Sequence, residues 1–296
     1  MNSTNNNSRS RFNTQNAEAG MSDLTIGFRN HKLKEREKYQ SEYGNCNQII
    51  YLIKGNLIIY SNEILGKEVK TGEIFFLPIS SVLSCEALTP CNFLIVYFNR
   101  FINQCEVNFA ADLSAICDRN KFTFHTINIR PPLLAFIRNT IASLKQLDGY
   151  KEFHQLKYEE LFYVLRLTYE KKELAPLLHT VAGRSVEFRM FILDQYLKVK
   201  SISELVHLSG MKRKTFDRQF QEEFEDTPYH WILTQKSKHV LYALSETNDK
   251  MQTIMAKYGF NIPPHFTRFC KDYFNYPPMA LRRQLRLQRN TGRSKK

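Results

Sequence analysis

Cysteine is sparse, six residues in 296, and Cys46, Cys85, Cys91, Cys105, Cys117 and Cys270 show no C-x-x-C spacing. That excludes a disulfide-stapled scaffold and gives no zinc or dithiol signature. Long apolar runs are missing too. The longest, such as Gln48 to Ile53 and Phe93 to Phe98, fall far short of the ~20 residues that cross a bilayer, so no membrane partner is expected. The N-terminus lacks the basic, apolar and small-residue order of a signal peptide. No histidine lies between His31 and His125, which leaves a metal-dependent barrel enzyme without its ligand set. Gly66-Lys67 has Ser61 where a phosphate-binding loop needs its first Gly, and no Gly-x-Ser-x-Gly elbow occurs. The chain is therefore expected not to be an enzyme, with no catalytic residue, no cofactor and no metal, in a reducing cytoplasm.

Acidic residues are also outnumbered, 29 against 42 Lys and Arg, for a formal charge of +13. The excess is concentrated: residues 186–296 carry 20 cations and 11 anions. A polyanionic partner at the C-terminal end is the simplest reading, although seven of those cations belong to the tail from Arg282 onward. With 43% hydrophobic residues, a chain of this length supports two cores.

Composition divides the chain into segments. Residues 1–20, rich in Asn, Ser and Thr, cannot offset their chain entropy and are expected to be disordered, with Met21 a second possible start of translation. From Cys46 to Arg100, short β-branched and aromatic runs (Gln48 to Ile53, Asn56 to Tyr60, Glu73 to Leu77, Phe93 to Phe98) alternate with turns at Lys54-Gly55, Leu65-Gly66, Thr71-Gly72 and Thr89-Pro90. This spacing predicts an antiparallel sandwich or barrel. Its order resembles the small cupin-like barrel of effector-sensing domains.

After Pro131-Pro132 the period becomes helical. Leu134, Ile137, Ile141 and Leu144 form one stripe, and a second helical stretch over Lys151 to Glu173 carries Phe153, Leu156, Leu161, Val164, Leu165 and Leu167. Either these faces pack on their own barrel or they join two copies of the chain. Residues 21–174 make this first domain, and 175–185, with Pro176 and Gly183, read as a linker.

Between Ser201 and Arg282 one unit occurs twice. Ser201 and Glu204 are spaced as a capping box, Leu205 and Leu208 continue a short helix, and Gly210 supplies a left-handed turn. A second helix follows from Met211, with Phe216, Phe220 and Phe224 inward and Lys212, Arg213, Lys214 and Arg218 outward. This is helix-turn-helix grammar, with cations in the turns that enter a major groove. In the second copy Gly259 matches Gly210 at an offset of 49, while Phe266, Arg268, Phe274 and Pro278 match Phe216, Arg218, Phe224 and Pro228 at an offset of 50. Thr227-Pro228 opens a helix to about Ser245 that joins the units.

Residues 186–286 resemble the DNA-binding domain of the AraC/XylS family of bacterial transcription regulators. The likeness rests on Leu-Ser-Gly-Met, Phe-Asp-Arg-Gln-Phe, Thr-Pro, Tyr-Gly-Phe, His-Phe-Thr-Arg-Phe-Cys-Lys and Pro278-Met-Ala-Leu-Arg282. Val206 and Met255 stand where the family has a small Ala, Lys236 replaces a linker-helix Arg, and Asn275 replaces a Gly. The resemblance implies an α+β protein of two domains. The first is a cupin-like β-barrel with two dimerisation-type helices; the second is an all-α domain of two helix-turn-helix units on a linker helix, followed by a basic tail at 287–296 that is expected to be disordered. It further implies double-stranded DNA as partner, control by a small effector or partner at the barrel, a homodimer, contact with RNA polymerase, and a place at the nucleoid. The DNA-contact candidates are Lys212, Arg213, Lys214, Arg218, Pro264, His265, Arg268, Lys271 and Arg282. Arg213 suits guanine O6 and N7. Arg218 and Arg268 either meet phosphate or pair with acids such as Asp217 and Asp272. His265 either contacts DNA or packs beside Phe266. The alternatives are helix-turn-helix units turned to protein binding, or a barrel enzyme with a basic appendage.

Overall fold

The computed structural model describes residues 25–41, 44–62, 64–116 and 124–293, the last six of these by backbone alone. The expected N-terminal disordered tail, both candidate start methionines and Cys117 lie outside the described residues.

Among the described residues, nine strands form two antiparallel sheets. Strands β1 (Ile26–Leu33), β3 (Asn47–Lys54), β6 (Glu73–Leu77), β8 (Cys91–Phe98) and β9 (Thr126–Asn128) pair in the order β1-β8-β3-β6-β9. Strands β2 (Lys38–Gln40), β4 (Leu57–Ser61), β5 (Ile64–Val69) and β7 (Ser84–Ala87) pair in the order β2-β7-β4-β5. The domain is cupin-like, with one correction: the sheets face each other without closing into a barrel. Their inner faces are satisfied by packing, since Ile50, Leu52, Phe75, Phe93 and Ile95 of the larger sheet meet Leu57, Ile59, Val69 and Cys85 of the smaller. A second correction concerns Leu65-Gly66, expected as a turn. It lies inside β5, where the register with β4 shifts between Ile59 and Tyr60, so this Gly at φ +81° serves a bulge. Gly55, by contrast, does make the β3–β4 turn; a Cβ there would sit 2.5 Å from the Pro90 carbonyl oxygen.

The central strands are apolar on both faces because both are covered. Ile49, Tyr51, Leu94, Val96 and Phe98 point away from the smaller sheet into a second layer built by helices α1 (Gln104–Ser114), α2 (Pro131–Leu147) and α3 (Lys151–Thr168). This settles the helical stripe. Leu133, Phe136 and Ile137 are buried against the sheet, with Ile141 and Leu144 packed beside them. On α3, Tyr158, Leu161, Phe162 and Leu165 turn inward, whereas Leu156, Tyr163 and Leu167 are left outside, 67%, 57% and 87% exposed.

The segment expected as a linker begins inside a helix, α4 (Lys171–Leu178), whose Leu174, Ala175, Leu177 and Leu178 are buried in the same core. A capping box of Glu170 and Glu173 starts it, and Pro176 is tolerated in so short a helix. Val186 and Met190 of the next helix, α5 (Val186–Gln195), complete that core. The two halves are thus joined by packing.

The C-terminal half is all helical: α6 (Ile202–Leu208), α7 (Arg213–Phe224), α8 (Pro228–Glu246), α9 (Met251–Lys257), α10 (Pro263–Phe274) and α11 (Pro278–Arg293). The last continues through much of the stretch expected as a disordered tail; residues 294–296 lie outside the described residues. Two cores follow the repeat. Phe188, Phe191, Leu205, Phe216 and Phe220 fill the first, and Val240, Leu244, Ile254, Phe266, Phe269 and Cys270 the second, with Leu197 touching both. No helix among the described residues is long and apolar enough to cross a membrane.

Candidate nucleic-acid interface

Each unit is a short helix, a tight turn and a longer helix. In the first, Ser201 Oγ accepts from the Glu204 amide (3.2 Å), while Glu204 Oε2 accepts from the Lys200 amide (2.8 Å), so the expected capping box is displaced by one donor. The turn holds because Gly210 adopts φ +66° and Ser209 Oγ donates to the Val206 carbonyl oxygen. Val206 and Met255, bulkier than the family's Ala, are buried at equivalent places without unfolding either unit.

The turn leaves the start of α7 in the open. Lys212 is its N-cap, and Arg213, Lys214 and Arg218 are exposed beyond it, while Phe216 and Phe220 anchor the opposite face. Arg213 Nε donates to both carboxylate oxygens of Asp217, at 2.9 and 2.7 Å. Asp217 therefore pairs with Arg213 rather than Arg218, whose nearest acid is Glu222 at 3.9 Å. Both pairs are solvent-exposed i,i+4 contacts, worth about 0.3–0.5 kcal/mol, and a phosphate or base can displace either.

In the second unit Gly259 takes φ +80°, and α10 starts with Pro263 and Pro264 in its first two positions, where no amide is required. Ile262, Pro263, Pro264, His265, Arg268 and Lys271 are all exposed. His265 thus projects outward instead of packing beside Phe266. Arg268 reaches Asp272 only at 3.8 Å.

The two helices correspond position by position at the offset of 50. Lys214, Arg218 and Gln221 on one correspond to Pro264, Arg268 and Lys271 on the other, and i, i+4, i+7 spacing places each trio on one face. Both helices end at a non-glycine residue in the left-handed region, Glu225 (φ 56°) and Asn275 (φ 63°). The same offset exposes what motif reading missed: Ile262 and Pro263 are the counterparts of Lys212 and Arg213. Arg282 is the exception among the expected contacts. Its Nη2 donates to the Asp249 carbonyl oxygen (2.8 Å), and burial, with Arg286 nearby, lowers its pKa. It ties α11 to the loop before α9.

A family profile described as a helix-turn-helix domain matches residues 205–284, spanning both units. The virulence regulon transcriptional activator VirF of Yersinia enterocolitica serotype O:8 / biotype 1B is 24% identical over 241 residues, 79% of this chain and 88% of that protein. The multiple antibiotic resistance protein MarA of Escherichia coli K12 is 28% identical over 90 residues, 30% of this chain and 68% of its own. The chain carries a helix-turn-helix domain of the AraC type and is homologous to these regulators. Among solved structures, ToxT from Vibrio cholerae O395 aligns over 88% of this chain and 98% of its own, at 12% identity and a TM-score of 0.37. These likenesses make the chain a DNA-binding transcription regulator of that type.

Proposed function

We propose that this protein is a sequence-specific transcription regulator in which α7 and α10 enter adjacent major-groove segments, roughly 34 Å apart on one face of the duplex. The observation that carries this is the exposed first turn of both reading helices, at equivalent positions and on one offset. The heads differ in chemistry. Lys212, Arg213, Lys214 and Arg218 provide phosphate contacts and a guanine-reading fork on the first. On the second, Ile262, Pro263 and Pro264 present carbon where the first presents cations, flanked by His265, Arg268 and Lys271. A first turn without amide donors discriminates bases by apolar contact, which in the major groove means the thymine methyl. The VirF relatives are named as activators, and activation by this chain would bring RNA polymerase as partner, in the cytoplasm at the nucleoid. Control falls to the N-terminal half, by effector or partner.

Selection from a randomised duplex pool with the full-length protein tests this. The expected motif has two unlike halves, one guanine-containing and one thymine-containing. Replacing the thymines of the second half by deoxyuridine removes only methyl groups and is expected to weaken binding about three- to tenfold per critical base, at about 0.8 kcal/mol or more per buried methyl. No enriched motif would return the chain to the protein-interaction reading.

A homodimer through α3 is part of the same proposal. Leu156, Tyr163 and Leu167, at i, i+7 and i+11, form an exposed apolar strip on a helix whose other face is fully used. Leu156→Glu with Leu167→Glu is expected to leave the melting temperature nearly unchanged and to convert a dimer into a monomer in sedimentation velocity. An unchanged sedimentation coefficient would remove this face as the dimer seam.

A further inference from the structure

The first turn of α7 runs against its own helix dipole. Lys212, Arg213 and Lys214 occupy the N-cap and the first two helical positions, where the partial positive charge of a helix end disfavours cations, and no acid lies in that turn. Such a start suits an anion bound from outside. One turn further on stands an acid, Asp217, where a surface built only to hold phosphate gains nothing from negative charge.

Asp217 is not engaged in holding the fold. Its side chain is 41% exposed, and among the described residues it bonds only to Arg213, whose Nε donates to both carboxylate oxygens at 2.9 and 2.7 Å. An Arg placed four residues before an acid is also the weaker order for helix stability. Helix support is therefore a poor reason for the pair.

The atoms it uses point elsewhere. A guanidinium carries five N–H groups in a fixed planar fork, and a bidentate contact needs two that face the same way. With Nε held by Asp217, the remaining such edge is Nη1 with Nη2, and neither has a hydrogen-bond partner among the described residues. That edge matches O6 and N7 of guanine. A guanine can thus be read while the ion pair stays closed, whereas a phosphate accepts from any edge and draws no advantage from a fixed one.

The internal repeat gives a second, independent observation. At the offset of 50, Arg218 and Glu222 correspond to Arg268 and Asp272, and both copies keep this pair loosely, at 3.9 and 3.8 Å. Arg213 and Asp217 correspond instead to Pro263 and Thr267. Positions 213 and 263 are both exposed, and 217 and 267 both half-buried, so the two sites are alike in setting. The helix without the fork is also the helix without the acid. A pair that merely decorated a solvated face would have no reason to come and go with the fork.

We propose that Asp217 is a positioning residue for base reading: its carboxylate takes the Nε edge of Arg213 and turns the Nη1–Nη2 edge toward guanine O6 and N7. This rests on Arg213 as the guanine contact of the function proposed above. In water an exposed pair holds the fork only weakly. Against a duplex, water is displaced and charge-assisted bonds strengthen, so the orientation is enforced where the base is met. The carboxylate meanwhile repels the phosphate backbone, which lowers affinity for sequences that lack the guanine. Asp217 therefore contributes specificity at the expense of general affinity.

The test titrates the full-length protein with the duplex selected from the pool and with duplexes carrying each other base pair at every position of the first half-site. Arg213→Ala locates the base pair in question, by loss of guanine preference there and nowhere else. In Asp217→Ala, guanine preference at that one position is expected to fall about fivefold or more, a part of what a bidentate contact supplies. Preferences at other positions and the melting temperature should match wild type, and affinity for an unrelated duplex should stay equal or rise, because an anion has left the surface. Asp217→Asn keeps an amide oxygen that accepts from Nε and is expected to fall between the two. Unchanged guanine preference in Asp217→Ala would overturn the assignment. So would an equal rise in affinity for every duplex, which would make Asp217 only a competitor for phosphate, or an equal loss of preference at all positions, which would make its role structural. Failure of the underlying reading looks different: Arg213→Ala itself would then leave every base preference intact, and the positioning role would fall with it.

Discussion

Replacing Lys212, Arg213 and Lys214 together by Ala is expected to weaken binding to the selected duplex by about two to three orders of magnitude, with little change in stability. The size follows from two contributions. A base-reading Arg is worth about 1–3 kcal/mol, and loss of up to three phosphate-neutralising charges flattens the slope of log affinity against log salt by as much as ~2.7. Stability should hold because all three side chains are exposed, Phe216 and Phe220 keep α7 anchored, and the only ion pair removed among the described residues is the exposed Arg213–Asp217 contact. Anisotropy titrations across a salt series, beside a thermal melt of the same samples, read both quantities. A variant that keeps wild-type affinity and slope would show that the first unit is not a DNA reader. One that loses affinity for every sequence equally would demote Arg213 from base to phosphate contact.

The C-terminal half was legible because its instructions are local. Caps at Ser201 and Thr227, left-handed glycines at 210 and 259, and phenylalanines at helical spacing each act within a few residues, and their repetition at a fixed offset fixes the architecture. What escaped depends on longer-range geometry. Strand β1, with its mixed sequence from Ile26 to Leu33, is a strand because it pairs along its whole length with β8, about sixty-five residues away. Leu161 and Leu167 look alike in sequence, yet one faces the sheet and the other solvent, a matter of how α3 is rotated against β1. Arg282 has the composition of a DNA contact and the orientation of a strut, since its direction is set by the loop ending at Asp249. Ile262 and Pro263 give the opposite case: nothing in an apolar pair suggests DNA until the fold places it where the cations of the first unit stand. A cleft between the halves, lined from β4, the end of β6, α5, the end of α7 and α8, has no linear signature at all.

Glu223→Ala is expected to cost about 3–5 kcal/mol and to unfold the first reading unit before the rest of the chain. Glu223, a helix residue only 1% exposed at its side chain, accepts from Arg189 Nε (2.7 Å) and from the Ser185 amide (2.8 Å), and its carbonyl oxygen accepts from Arg189 Nη2. These bonds fasten α7 to the start of α5, with the Arg189 guanidinium lying over the Phe224 ring, 4.7 Å from its centroid. Truncation leaves the Arg189 charge, 12% exposed, without its counterion and the Ser185 amide without an acceptor, and an uncompensated buried charge is far costlier than a missing pair. The double change Arg189→Met with Glu223→Leu should therefore be much milder than Glu223→Ala alone, because both charges leave together. Urea denaturation followed by Trp231 fluorescence reports on this unit directly, since the single tryptophan packs against Phe220 and Phe224. If Glu223→Ala shifted the midpoint no more than the double variant, the pair would be an incidental contact, and α7 would owe its position to Phe216 and Phe220 alone.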